Sequence, residues 1–188
     1  MVDIRPTVVS QIGAFRKGSA RLRLNDASEL SKVIVKGAPG TNLSTQLSAI
    51  SPGQSASRRT VRIGSARPNE WLYLGPIDAV AAAVADLDLS GHTAVTDVTH
   101  ARSAVRISGT ASIDLLQRCC SVDFSDAMFP DEAMATAAVA AVRCDIIRDD
   151  VANDRSYIIV FDRSYADYMT AVLGDIFTEV GLASAPKS

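Results

Sequence analysis

The sequence predicts an α+β protein made of two ferredoxin-like split βαβ halves, with antiparallel sheets covered on one face by helices. Three observations predict it. Apolar residues recur with the two-residue period of a strand in some stretches and with the period of a helix in others. Strand–turn–helix joints recur at Gly37–Thr41, Gly75–Pro76, Gly109–Thr110 and Asp162–Ser164. The elements run β-α-β-β-α and then β-β-α-β-β-α, and the irregular joint spacing fits a pseudo-duplication rather than a solenoid.

Residues 1–29 show no sustained period and read as an N-terminal arm, with one short strand near Ala20–Leu24. Such an arm is either frayed or laid along another subunit. The basic residues in it, Arg16 and Arg21 among them, keep the second option open. An α+β domain is expected over 30–182, in halves of about 30–98 and 99–182, followed by a flexible tail over 183–188.

Lys32–Val35 is a β-branched strand, and Thr41 is placed to cap a helix carrying Leu43 and Leu47. Ser51–Ser57, rich in Ser, Pro and Gly, reads as a loop. Thr60–Gly64 and Trp71–Leu74 form a hairpin. Ile77, Val80, Ala81, Val84 and Leu87 then lie on one helical face behind Pro76, a good first helical residue. Thr93–Val98 is the next strand.

The stretch Thr99–Cys120 shows the strand-to-helix change most clearly. Val105 and Ile107 share one strand face, Ala104 and Arg106 the other. Gly109 breaks the strand, Thr110 is the expected cap, and Ile113, Leu116 and Cys120 form a helical stripe. Ser121–Glu132 is an acidic connection carrying Met128, Phe129 and Pro130, apolar residues that either tuck into the core or plug a partner's groove. Val142–Ile146 and Tyr157–Phe161 are strands around an Asp149–Arg155 turn. Ser164 and Asp167 make a variant capping box for the longest helix, which carries Tyr165, Tyr168, Met169, Leu173 and Val180 and is expected to stop at Gly181.

Composition excludes several classes. A net charge of -2 gives no case for nucleic acid. No apolar run reaches the ~20 residues of a membrane helix. Three cysteines make no even disulfide framework, and no secretory signal opens the chain, so a cytoplasmic setting is expected. Basic residues dominate early and acidic ones late, an asymmetry that either steers assembly or reflects solvated faces.

The same residues offer no self-contained chemistry. No Gly-rich dinucleotide or phosphate loop follows a strand. Cys119, Cys120, Cys144, His92 and His100 lack zinc-ligand spacing, and Cys120 reads as a core residue. His100 and Asp97 are three apart, on opposite faces of a strand. Asp149, Asp150 and Asp154 read as a solvated hairpin loop, and Trp71 as core. No catalytic, cofactor-binding or metal residue is therefore expected in this chain.

Four segments in order carry a resemblance: Arg67-Pro-Asn-Glu-Trp-Leu-Tyr-Leu-Gly-Pro76, Asp97-Val-Thr-His-Ala-Arg-Ser-Ala-Val-Arg-Ile-Ser-Gly109, Phe129-Pro130, and Val160-Phe-Asp-Arg-Ser-Tyr-Ala-Asp-Tyr168. They resemble the sarcosine oxidase gamma subunit family, related to the folate-binding domain of the glycine-cleavage T-protein, an aminomethyltransferase. The resemblance spans roughly Lys32–Gly181. It implies a T-protein-like fold and a non-catalytic subunit of an alpha, beta, gamma, delta heterotetramer that oxidatively demethylates sarcosine, the one-carbon unit passing to tetrahydrofolate. FAD, FMN, NAD, zinc and tetrahydrofolate would belong to the partner subunits. Arg102, Phe129, Pro130, Arg16 and Arg21 are the expected interface residues. Two alternatives remain: a small subunit of a related N-methyl amino acid dehydrogenase, such as N-methylglutamate dehydrogenase, and a free-standing folate-binding one-carbon transfer protein.

Overall fold

The computed structural model describes residues 16–18, 21–152 and 154–183. Eleven strands among them form two antiparallel sheets. The five-stranded sheet comprises β3 (Ser31–Gly37), β4 (Gln54–Arg58), β5 (Val61–Arg67), β6 (Glu70–Gly75) and β7 (Thr93–Asp97), in the order β4-β5-β6-β3-β7. The six-stranded sheet comprises β1 (Arg16–Gly18), β2 (Arg23–Asp26), β8 (Arg102–Ser108), β9 (Met134–Val139), β10 (Val142–Arg148) and β11 (Ser156–Asp162), in the order β1-β2-β8-β11-β10-β9.

Alternation along the strands dictates the layering. Val33, Val35, Val61, Ile63, Trp71 and Tyr73 pack beneath α1 (Asn42–Gln46) and α2 (Ile77–Ala85). Val105, Ile107, Ile146, Ile159 and Phe161 pack beneath α3 (Ser112–Gln117) and α4 (Ala166–Ala183). The intervening residues Leu72, Leu74, Ala104, Ile147, Ile158 and Val160 point the other way and bring the two sheets face to face. The result is a four-layer stack, helices–sheet–sheet–helices. Gly64 permits the close approach of the sheets, because a Cβ there would lie 2.4 Å from the sulfur of Met134.

Several expectations are corrected. The stretch read as an arm enters the six-stranded sheet: β2 pairs with β8, β1 pairs with β2, and Leu22 and Leu24 are core residues. The rest of that arm, 1–15 and 19–20, lies outside the described residues, as does the tail over 184–188. Ser51–Ser57 is not all loop, since β4 begins at Gln54 and pairs with β5. Thr110 does not cap α3; Ala111 occupies that place and makes no side-chain cap bond. Gly109 carries φ +108, and a Cβ there would meet the Arg21 carbonyl oxygen at 2.4 Å. The turn's sharpness therefore comes from glycine and not from a capping hydroxyl.

Before α4, Asp162 caps a 3₁₀ turn over Arg163–Tyr165 by accepting the Ser164 N–H at 2.9 Å and its hydroxyl at 2.7 Å. Ser164 is thus the capped residue and not the cap. These two bonds hold the Asp162 carboxyl below its ordinary pKa. The last helix passes through Gly181 to Ala183. No described helix is long and apolar enough to cross a membrane.

Candidate functional site

The sheet–sheet layer carries a charge arrangement that single residues do not reveal. Strands β8 and β10 flank β11, so both run antiparallel to it. Arg102 and Arg106 on β8, four residues apart, face the same way as Ala104 in the sheet–sheet layer. Asp145 and Asp149, also four apart, follow the side of Ile147 from β10. The two pairs therefore meet across β11. Arg102 Nη1 donates to Asp145 Oδ2 at 2.6 Å, and Arg106 Nη2 to Asp149 Oδ2 at 2.7 Å.

The five-stranded sheet adds a second arginine to each aspartate. Arg67 Nη2 lies 3.8 Å from Asp145 Oδ1, and its Nη1 pairs with Glu70. Arg62 donates to Asp149 and reaches Glu132 Oε1 at 3.0 Å. Each end of the layer thus holds an Arg–Asp–Arg cluster bridging the sheets. Thr136 on β9 donates to Asp145 Oδ1 at 2.5 Å, which engages both oxygens of that carboxylate.

The first cluster opens to solvent. A cleft of about 480 Å³ is lined by Arg67, Arg102, Arg143, Asp145, Asp162 and Tyr165, among others. Arg143 is exposed and has no ion-pair partner among the described residues. A polar cleft therefore exists in a chain whose sequence offers no self-contained chemistry. Its chemistry suits recognition rather than proton transfer, because guanidinium groups stay protonated and the Asp145 acceptors are taken.

The aspartates read as a solvated loop are also reassigned. Asp149 sits in the second cluster, and Asp150 binds Arg148 through Nε and Nη2. Arg148 is buried and also donates to Asp126 at 2.5 Å and to the Phe129 carbonyl at 2.8 Å, fastening the 121–132 connection to β10. Its bond holds the Asp126 carboxyl below its ordinary pKa. Arg155 Nη2 reaches Asp126 as well, at 2.6 Å.

The five expected interface residues fall in different places. Arg102 lies in the open cleft. Phe129 is buried with its ring 5.5 Å from that of Phe124, so its side chain serves this chain's own core and not a partner's groove. Pro130 is exposed, and Met128 is the large apolar side chain of that connection that protrudes. Arg21 is exposed, and its carbonyl accepts the Ala111 N–H at 3.1 Å. Arg16 is in β1 opposite Asn25.

Nothing brings His100 and Asp97 together. Asp97 Oδ1 accepts the Thr99 N–H at 2.8 Å, and the His100 carbonyl accepts from Arg163. The cysteines are free thiols. Burial pushes Cys119 up to about 11 and Cys144 up to about 12, which removes their thiolate character near neutrality. Among the described residues, no group of three or more His, Cys, Asp or Glu is arranged to hold a metal ion.

Sequence reasoning found Arg102 alone. The usable signal for the rest was the matched four-residue spacing of Arg102/Arg106 and Asp145/Asp149 on predicted strands.

A family model described as "Sarcosine oxidase, gamma subunit family" matches residues 24–179. No curated protein matches the sequence. Among solved structures, the chain is similar to a chain of the heterotetrameric sarcosine oxidase from Corynebacterium sp. U-96 in complex with pyrrole 2-carboxylate. The TM-score is 0.73 at 18% identity, over 92% of this chain and 91% of that one. It is also similar to the glycine cleavage system aminomethyltransferase T from Bartonella henselae, with TM-score 0.63 and 12% identity. That match covers 82% of this chain but 45% of the aminomethyltransferase chain, so this chain spans less than half of it.

Proposed function

The chain belongs to the sarcosine oxidase gamma subunit family, and on that premise we propose that it is the non-catalytic gamma subunit of a heterotetrameric sarcosine oxidase-type complex. In this reading the complex oxidatively demethylates sarcosine and passes the one-carbon unit to tetrahydrofolate in the cytoplasm. FAD, FMN, NAD, zinc and tetrahydrofolate are held by the alpha, beta and delta subunits. The observation that carries the reading is the family match over 24–179, which takes in the five-stranded sheet, the six-stranded sheet apart from β1 and Arg23, and most of α4.

The site geometry supports a holding role. In both clusters the aspartates are engaged by arginines from two sheets, so the charged groups lock one layer to the other. Arg143, without an ion-pair partner in the open cleft, is the group placed to meet a partner's carboxylate. Arg102 beside it, Pro130, Arg16 and Arg21 complete the proposed docking residues; Phe129 drops out.

Co-expression tests this. The chain produced alone is expected to be colourless, inactive and poorly soluble, and the large subunits should rescue it. Arg143→Glu should weaken assembly on size-exclusion chromatography while leaving the fold intact by circular dichroism. A purified lone chain binding flavin stoichiometrically would overturn the proposal. The fold likeness to the aminomethyltransferase favours one second reading, a free-standing folate-binding protein. Micromolar binding of a reduced folate to the lone chain would select it.

A further inference from the structure

The inner face of the six-stranded sheet carries a row of side chains that the five-stranded sheet does not cover. Val160 on β11 is opposite Ala104 on β8 and Asp145 on β10, and all three are buried in the sheet–sheet layer. Two residues further along each strand, the same face holds Asp162 opposite Arg102, with Arg143 next in the β10 register. Asp162 and Arg143 are exposed there and Arg102 is half-buried. Arg67 at the end of β5, Ala141 in the β9–β10 turn and Tyr165 bound this shelf.

Its charges are unevenly matched. Arg102 donates to Asp145, whose other oxygen accepts from Thr136. Arg67 pairs with Glu70, which also takes Lys36. Asp162 Oδ1 accepts both the N–H and the hydroxyl of Ser164. Arg143 is left with no ion-pair partner among the described residues. Beside it Tyr165 and Tyr168, three residues apart where β11 gives way to α4, are 48% and 47% exposed. The Tyr168 hydroxyl donates to the Ala140 carbonyl, which sets its ring against the turn leading into Arg143. An unpaired arginine flanked by exposed tyrosines is the composition of an interface core. The floor is the open end of a sheet, a shape that receives a protein surface and does not enclose a small molecule.

Given the subunit role proposed above, on which this rests, we infer that the shelf is where a partner subunit docks, through a segment that lays a side-chain carboxylate on the Arg143 guanidinium and its stem against Tyr165. The charges set the partner's chemistry. A carboxylate accepts two guanidinium N–H groups side by side. A neutral group would leave the arginine covered and uncompensated, and a cation would be repelled by it. Asp162, next in the row, opposes the incoming carboxylate at short range, which gives the contact a sign that can be read.

The test immobilises the complex through a large subunit and follows release of the gamma chain into buffer. Arg143→Ala should speed release about tenfold, and Arg143→Lys, which keeps the charge but not the planar fork, about threefold. Asp162→Asn keeps the oxygen that caps Arg163–Tyr165 and removes the charge, so it should slow release about twofold. A residue that merely held the fold would not tighten the complex on losing its charge. Raising NaCl from about 0.05 to about 0.5 M should speed release of the unmodified chain and affect Arg143→Ala far less. Arg58→Ala, at an exposed arginine opposite Val61 and so at the other end of β5 from Arg67, should change nothing. Release unchanged by Arg143→Ala, faster release of Asp162→Asn, or an equal effect of Arg58→Ala would each overturn the docking shelf and leave the subunit role standing. Failure of the unmodified chain to enter the complex at all would overturn both.

Discussion

Beneath α3 and α4, the six-stranded sheet packs the rings of Phe124, Phe129 and Tyr157 against one another. Phe124 stands edge-on to the other two, with centroids 5.5 and 5.4 Å away. Beneath α2, the five-stranded sheet meets the methyl groups of Ala79 and Ala83 and leaves a cavity. Both units follow one plan, a strand alternation buried under helices. One is closed by aromatic volume brought in from a connection, the 121–132 segment, which Arg148 fastens down. The other is covered over part of its sheet by Leu43, Leu47 and Ile50, aliphatic residues from the 38–53 connection, and stays open under α2. The comparison teaches that the sheet–helix plan sets the layers, while the intervening connection decides whether a layer closes.

Four measurements break or sharpen that contrast. The largest effect is expected at Phe124, which is fully buried among the rings. Phe124→Ala should cost about 3–5 kcal/mol in urea denaturation. Leu87→Ala, at the partly open α2 face, should cost under about 1.5 kcal/mol; equal losses would erase the distinction.

Next comes Lys32, which faces the layer shared by both units. Its ammonium is buried, donating to the Ser28 and Leu30 carbonyls at 2.8 and 2.6 Å. Desolvation brings its pKa from 10.5 down to about 8, with Asp26 and Asp97 acting in the opposite direction. Between those values the unfolded chain binds more protons than the folded one, so folding gains stability as pH rises through the window. Relative to Lys32→Met, the protein should gain roughly 3 kcal/mol from pH 8 to 10.5 and show a flat difference below pH 8. A flat difference throughout would mean that water reaches this amine.

Smaller effects should have opposite signs in the two units. Ala111→Leu adds volume to the closed core and should destabilise by about 1–3 kcal/mol. Ala83→Leu adds the same volume to the open one and should stabilise by about 1 kcal/mol in the same thermal melt. The smallest effect is local. Ala140 and Ala141 form the β9–β10 turn at φ 48 and 66, a conformation that glycine adopts freely. The turn is held by Ala140 N–H donating to the Cys119 carbonyl and by the Tyr168 hydroxyl donating to the Ala140 carbonyl. Ala141→Gly should raise stability by up to about 1 kcal/mol.

The strands with strict alternation were legible before the structure. Val105 and Ile107 on one face and Ala104 on the other fall as the period requires, and Trp71 and Cys120 are core residues. The edge strand β4, Gln-Ser-Ala-Ser-Arg, was not legible because an edge strand half in water needs no apolar period; Ser55 is its buried residue. A short strand was expected near Ala20–Leu24 and β2 lies at its end, over Arg23–Asp26; its place in the six-stranded sheet was not legible because its partner β8 is far along the chain. Neither cleft could be read from spacing. The first gathers Arg67, Arg102 and Arg143 from three strands through sheet register. The second is missing volume, which depends on what faces the alanines. The helix of Ile77–Leu87 was visible as amphipathic, but its deficit of bulk was not.

The pairing of β2 with β8 has a consequence for synthesis. Arg23 and Ser108 are opposite one another and 85 residues apart, with the whole five-stranded sheet encoded between them. At ribosomal speeds of about 5–20 residues per second, Leu24 waits on the order of 4–17 seconds for the strand that will cover it. In that interval β3 to β7 can complete their own hydrogen bonding, so the five-stranded sheet closes first on the nascent chain. The earlier-made β2 meanwhile waits with the backbone edge that will meet β8 unpaired and its Leu24 side chain uncovered.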